Sequence, residues 1–226
     1  MSDINLVLDD IVDRVMKQIN DSETNIGNGI FEDMNDAIEA CYIAQKQFVK
    51  LSLSYRDKIV DEIRKVAYDN SVLFSEMTVS ETKMGNVEDK IIKNKLAADK
   101  TPGVEDLKSE AMKGDSGLTL VELSPFGVIG AITPTTNPTE TIICNSIGML
   151  AAGNGVVFSP HPTAKKVSIK IIQMINEAIV KVDATKNIIV TVSEPSIKRA
   201  NVIMTHPKIN MLVATGGPGV VKSVLS

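Results

Sequence analysis

Apolar residues recur every three or four positions through two long stretches, residues 35–51 and 54–80, and this spacing predicts two helices, each with one buried stripe. Ser54 stands at the start of the second stretch and is of a type that caps helices. "GNVEDKIIKNKLAADKTPG" predicts a third helix, closed by Thr101, Pro102 and Gly103, before a less regular span to Asp115. From Gly117 the rhythm changes. "GLTLVELSP" alternates and "GVIGAIT" is continuously apolar, so both are read as strands. Strand and helix signals then take turns: a helix over 138–152, the strand "GVVFS", a helix over 162–181, the strand "NIIVTV", a helix over 195–205, the strand "INMLVAT" and a helix starting near Pro218. Such alternation predicts an α/β fold, a parallel, doubly wound sheet behind a helical N-terminal region.

Ahead of these elements, "INLVLDDIVDRVMKQIN" places Ile4, Leu8, Ile11, Val15 and Ile19 on one helical face, with Asp9, Asp10, Asp13, Arg14 and Lys17 opposite. A short amphipathic helix is expected over residues 1–20. The polar, glycine-containing "DSETNIGNG" of residues 21–29 is read as a flexible linker, which leaves residues 30–226 as the domain. The chain stops one or two turns into its last predicted helix without a capping signal, so a continuation past Ser226 is expected.

Composition narrows the class. The 226 residues suffice for a real core, and 43% hydrophobic residues, 23% charged residues and a net charge of -4 fit a globular protein without a basic block for nucleic acid. The longest apolar run, 142–152, is interrupted by Asn145 and Ser146 and falls short of a membrane span. Cys41 and Cys144 are expected to be free thiols in a reducing, cytoplasmic setting, and neither stands at metal-ligand spacing, so no metal is expected.

In an open α/β sheet, ligands bind beyond the carboxyl ends of the strands. Four loops leave the predicted strands there: "TPTTNP" from Thr133, "SPHP" from Ser159, "SEP" from Ser193 and "TGGPG" from Thr215. Glycines directly after a strand let a ligand approach the backbone, and the helix N-terminus that follows suits a pyrophosphate; the same glycines also serve as a plain tight turn. His161 lies on the ligand edge and reads equally as functional or structural, whereas His206 lies on the opposite edge and reads as structural. Lys165 and Lys166 read as a solvated helix face. Asn137 precedes a helix start, where its amide either donates to a developing oxyanion or caps the helix. Cys144 falls about seven residues into the helix of 138–152, too far for the dipole to lower its pKa, and reads with Cys41 as a small buried hydrophobe.

"ELSPFGVIGAITPTTNPTETIICNSIGMLAAGNGVVFSPHPTAKK", "ATGGPGVVK" and, upstream, "ETKMGNVEDKIIKNKLAADKTPG" resemble the CoA-acylating aldehyde dehydrogenases, the propionaldehyde and acetaldehyde dehydrogenases of bacterial microcompartments. The resemblance runs from about Gly29 to the end. It implies the aldehyde dehydrogenase fold, with a dinucleotide-binding domain, a catalytic domain bearing a cysteine and an oligomerising strand element. It further implies oxidation of a short-chain aldehyde with NAD, and with coenzyme A as co-substrate, to acyl-CoA through a cysteine thioester.

By position, the resemblance carries cofactor binding to Thr133 and Pro134, to Ser159, Pro160 and His161 near the adenosine, and to Thr215, Gly216, Gly217 and Gly219 as the pyrophosphate loop. Ser159 stands where ordinary aldehyde dehydrogenases hold the ribose with a lysine, which leaves the choice between NAD and NADP open. Asn137 resembles the superfamily's oxyanion asparagine, with a shift of one residue onto Thr136 as the other alignment. Cys144 does not match the family nucleophile, which is expected beyond Ser226, so residues 1–226 alone are expected to be inactive. Residues 4–19 resemble the helices that direct such enzymes to microcompartment shell proteins, implying a place in the lumen, with an ordinary N-terminal or oligomer-contact helix as the other reading; the family resemblance also implies a homo-oligomeric full-length enzyme. The other readings are a nucleotide-binding or shell-docking cargo module without catalysis, and another enzyme of the fold such as a glutamyl phosphate reductase.

Overall fold

The computed structural model describes residues 25–182 and 185–225. The amphipathic helix expected over 1–20 lies outside them. The chain begins with β1 (Asn25–Gly27) and β2 (Ile30–Phe31), and helices α1 (Met34–Phe48), α2 (Leu53–Asp69), α3 (Ser71–Thr82) and α4 (Val87–Lys100) follow. A hairpin of β3 (Glu110–Gly114) and β4 (Gly117–Val121) separates them from the alternating part. That part runs β5 (Val128–Thr133), α5 (Pro138–Ala151), β6 (Gly155–Pro160), α6 (Lys165–Lys181), β7 (Ile189–Val192), α7 (Ile197–Thr205), β8 (Met211–Ala214) and α8 (Pro218–Leu225).

Among the described residues the main sheet has the order β1-β2-β7-β6-β5-β8, with β1 antiparallel and the others parallel. All residues of β5, β6 and β7 are buried, which is why these segments are continuously apolar instead of alternating. Successive side chains serve opposite faces: Val156 and Phe158 join a core with α2, α5 and α6, whereas Val157 packs with α1 and Ile203 of α7. Gly130 on β5 allows α7 to come this close, because a Cβ there would stand 2.3 Å from Ile203 Cγ2.

From β5 the chain steps outward through β6 and β7, then returns across the sheet to place β8 on the free side of β5. The order reverses between β5 and β8. At such a switch point the loops leaving neighbouring strands part in opposite directions and open a crevice.

Several expectations change in detail. The helix expected over residues 54–80 is two, because Asn70 ends α2 and starts α3, with its Nδ2 donating to Val66 O at 2.8 Å. Its cap is Ser52, whose hydroxyl accepts from Tyr55 N at 3.3 Å; Ser54 lies inside the first turn. Residues 25–27, expected in the linker, form β1, and the turn into β2 uses Asn28 and Gly29 at φ 51° and 82°. The irregular span before Asp115 contains β3, which pairs with β4 in a separate two-stranded sheet exposed on both faces.

Candidate functional site

A cavity of about 670 Å³ opens at the switch point. The loop after β5 supplies Thr133, Pro134, Thr136 and Asn137 to its wall, the end of β6 supplies Ser159, Pro160 and His161, and the loop after β8 supplies Thr215, Gly216, Gly217 and Gly219. Every residue that the family resemblance carried over as cofactor-binding or oxyanion-stabilising therefore borders one space, whereas Ser193, Glu194 and Pro195 of the loop after β7 do not line it. Sequence reasoning missed the part of the wall that α7 forms through Ser196, Ala200 and Met204, and the contributions of Met84 and Thr141.

The glycine loop offers bare backbone. A Cβ added at Gly217 or Gly219 would meet nothing within 4 Å, and α8 starts immediately behind with Pro218. The amides of Gly216 and Gly217 donate to no acceptor among the described residues, while Thr215 N is used on Ile132 O at 3.0 Å and ties the loop to β5. Free N–H groups, a helix N-terminus and open space together form a cradle that fits a pyrophosphate.

His161 serves the local fold and the cavity together. Its Nδ1 accepts from Thr163 N at 3.3 Å, capping the short 3-10 turn Pro162–Ala164, and the ring borders the cavity. His206 is structural, with Nδ1 accepting from Lys208 N at 3.1 Å. Lys165 forms a surface ion pair: its ammonium donates to both oxygens of the exposed Glu194 at 2.7 and 2.8 Å, which holds that carboxyl below its ordinary range. Thr133 is 2% exposed, and its Oγ1 has no hydrogen-bond partner among the described residues.

Asn137 does not cap α5 with its side chain. Its Oδ1 instead accepts from Lys90 Nζ of α4 at 3.1 Å, and the same ammonium donates to Thr136 O and to Glu140 Oε1, the latter at 3.3 Å. Lys90 and Glu140 are both buried, with side chains 4% and 11% exposed. Nothing in the sequence reading pointed to Lys90, because four lysines lie along α4 and spacing alone does not say which is inside.

A second cavity, about 660 Å³, lies between α4 and α5 with Leu96, Thr101, Glu140 and Cys144 in its wall. It shares Asn137, Thr141 and Thr215 with the first, so the two cavities meet at Asn137. Cys144 packs against the core as expected but is only half-buried, bordering this second cavity with its Sγ 3.1 Å from the Thr101 hydroxyl. Cys41 is fully buried 3.5 Å from Ile188 O, and burial drives its thiol pKa far above the ordinary value. A thiol sealed in the core in this way is out of a substrate's reach. Among the described residues no cluster of His, Cys, Asp or Glu could hold a metal ion, and no helix is long and apolar enough to cross a membrane.

The aldehyde dehydrogenase family model matches residues 16–226. The chain belongs to the aldehyde dehydrogenase family. Among its relatives in this family is the propanal dehydrogenase (CoA-propanoylating) of Citrobacter freundii, 49% identical over 195 residues, which are 86% of this chain and 42% of the relative. A propionaldehyde dehydrogenase of Rhodopseudomonas palustris, solved with bound CoA and an acylated cysteine, superposes with a TM-score of 0.86 at 57% identity over 88% of this chain and 46% of its own. The propionaldehyde dehydrogenase from the fucose utilisation microcompartment of Clostridium phytofermentans gives a TM-score of 0.85 at 53% identity, over 87% and 45% of the two chains. This aldehyde dehydrogenase chain thus spans about two fifths of the length of the curated relatives it matches.

Proposed function

We propose that the chain is the nucleotide-binding part of a CoA-acylating aldehyde dehydrogenase, which oxidises a short-chain aldehyde to its acyl-CoA with NAD and coenzyme A. The observation that carries this reading is the meeting of two cavities at one amide. The cavity between β5 and β8 has the bare glycine backbone that a pyrophosphate needs, and the second reaches the same Asn137 from the side of α4. The dinucleotide would occupy the first, with its pyrophosphate at Gly216, Gly217 and Gly219 and its adenosine toward Ser159, Pro160 and His161, while Thr133 and Pro134 line the approach to Asn137. The aldehyde would enter from the second.

NAD, when bound, supplies a hydride acceptor, and CoA supplies the thiol that carries the acyl group away. The chain's own residues bind and orient. Asn137 Nδ2 donates to the carbonyl oxygen as it gains charge, and we assign that role to Asn137 over Thr136, because Asn137 borders both cavities and Thr136 only the first. The attacking thiol is neither Cys41, buried and protonated, nor Cys144, which stands two turns into α5; we place it outside these 226 residues.

Of the domain limits 1–20, 21–29 and 30–226, the start of the domain moves in this reading to Asn25, because β1 pairs with β2 in the main sheet. Residues 4–19 would dock on microcompartment shell proteins and place the enzyme in the lumen, a reading supported by the microcompartment source of a relative 53% identical. The hairpin β3–β4, with Leu118 and Leu120 at 71% and 61% exposure, would bind a second copy of the enzyme. Calorimetric titration of the chain with NAD and with NADP tests the core of the reading. Saturable binding at one site is expected for NAD, and neither heat nor a thermal shift with either nucleotide would overturn it. For the targeting segment, a fluorescent protein carrying residues 1–20 should collect in shells; diffuse fluorescence would refute that part alone.

A further inference from the structure

We infer that Lys90 is a positioning residue, which fixes the Asn137 side chain with its NH2 group toward the junction of the two cavities. The inference rests on the oxyanion role proposed for Asn137. An ammonium has three hydrogens and no acceptor. The three hydrogens of Lys90 are matched by three oxygens, Thr136 O, Asn137 Oδ1 and Glu140 Oε1, and no place around Nζ is left for a donor. Turning the Asn137 amide over would set N–H groups against an ammonium and leave one Lys90 hydrogen without an acceptor at a side chain 4% exposed. The amide therefore has one stable orientation, with Oδ1 toward α4 and both Nδ2 hydrogens away from it.

The capping pattern points the same way. Asp33, Ser52, Asn86 and Ser196 cap their helices through a side-chain oxygen, as residues of these types ordinarily do, whereas Asn70 at the start of α3 does not, its Nδ2 donating back to Val66 O. Asn137 occupies the same position on α5 and makes no such bond, because Lys90 holds its oxygen. Its amide is thereby withdrawn from helix stabilisation and left free to donate. A cation on the carbonyl end also polarises the amide and strengthens its N–H donors. Glu140 balances the charge locally, its Oε2 being held in turn by the Thr139 hydroxyl at 3.1 Å. Lys90 and Glu140 stand outside the wall of the nucleotide cavity, so their role is to orient Asn137 and not to bind the nucleotide.

The test is acyl-CoA formation by the natural full-length protein, with NAD affinity and melting temperature recorded for each variant. Asn137→Ala should lower kcat by about 10²–10³, the cost of one oxyanion donor. Lys90→Met should lower kcat by at least about tenfold with KM for NAD and CoA unchanged, and the Lys90→Met/Asn137→Ala pair should be no slower than Asn137→Ala alone. Should Lys90→Met fold poorly because Glu140 is stranded, Lys90→Met/Glu140→Gln removes both charges and takes its place, with the same slow turnover expected. Full turnover by Asn137→Ala would overturn the oxyanion reading itself. Slow Asn137→Ala beside an unimpaired Lys90→Met/Glu140→Gln, or losses that multiply in the Lys90→Met/Asn137→Ala pair, would overturn positioning while leaving the oxyanion reading intact.

Discussion

Residues 133–137, leaving β5, and residues 215–219, leaving β8, face each other across the switch point, yet they are held very differently. The first loop is gripped from behind: Lys90 binds a carbonyl and a side chain in it, and Glu140 of α5 anchors Lys90. The second is tied to β5 at its start by Thr215 N, its carbonyls at Gly217 and Gly219 accept from α8, and among the described residues no side chain grips it from behind, so it presents glycine amides toward open space. A group that must meet one atom of a reacting carbonyl needs its rotamer fixed in advance. A cradle for a bulky anion needs the reverse, exposed N–H groups and no side chain in the way.

The largest expected effect strikes the gripped loop. Glu140→Ala strands a buried ammonium and should destabilise the chain by about 3 kcal/mol in urea unfolding, the low end for a broken buried pair, because Thr136 O and Asn137 Oδ1 still accept from Lys90. A loss under about 1 kcal/mol, the range of an exposed ion pair, would show that the loop is not held as described.

Next in size is an insult to the bare loop. Gly217→Val puts its Cβ where nothing stands within 4 Å and its methyl groups toward the cavity, so folding and melting temperature should be unchanged. NAD affinity measured by calorimetry should fall about a hundredfold, about 2.7 kcal/mol, because the methyl groups occupy the approach of the pyrophosphate. Unaltered affinity would remove the glycine loop from the nucleotide site and erase the contrast between the loops.

The two loops also differ in how far they could be read from the sequence. Glycines after a strand and proline at a helix start are local signals, and they located residues 215–219 and 159–162 on the edge where the structure brings them together. Lys90 was not legible, since the periodicity of α4 misleads. Its buried stripe is Lys90, Asn94, Ala97 and Ala98, whereas Ile92 and Leu96 are 65% and 56% exposed. An apolar pattern reports the inside only where the inside is apolar, and here it is a polar network reaching toward Asn137. The same limit hid the break at Asn70, which interrupts an unbroken apolar rhythm, and β3, whose exposed residues need no alternation. Burial of β5, β6 and β7 on both faces, by contrast, left continuous apolar runs that marked the parallel sheet directly.

The smallest effect is expected at the first residue of the gripped loop, and it should differ in sign between the free and ligand-bound chain. Thr133 Oγ1 is buried without a partner among the described residues, so the free chain carries the cost of a desolvated hydroxyl. Thr133→Val keeps the shape and removes that group, and the unliganded chain should gain up to about 1 kcal/mol in urea unfolding. If the bound nucleotide supplies the missing partner, the same substitution should lower NAD affinity several-fold, since the hydrogen bond exists only in the complex. A stabilised variant with undiminished affinity would mean that the hydroxyl faces no ligand, and that the gripped loop meets the nucleotide only farther along, toward Asn137.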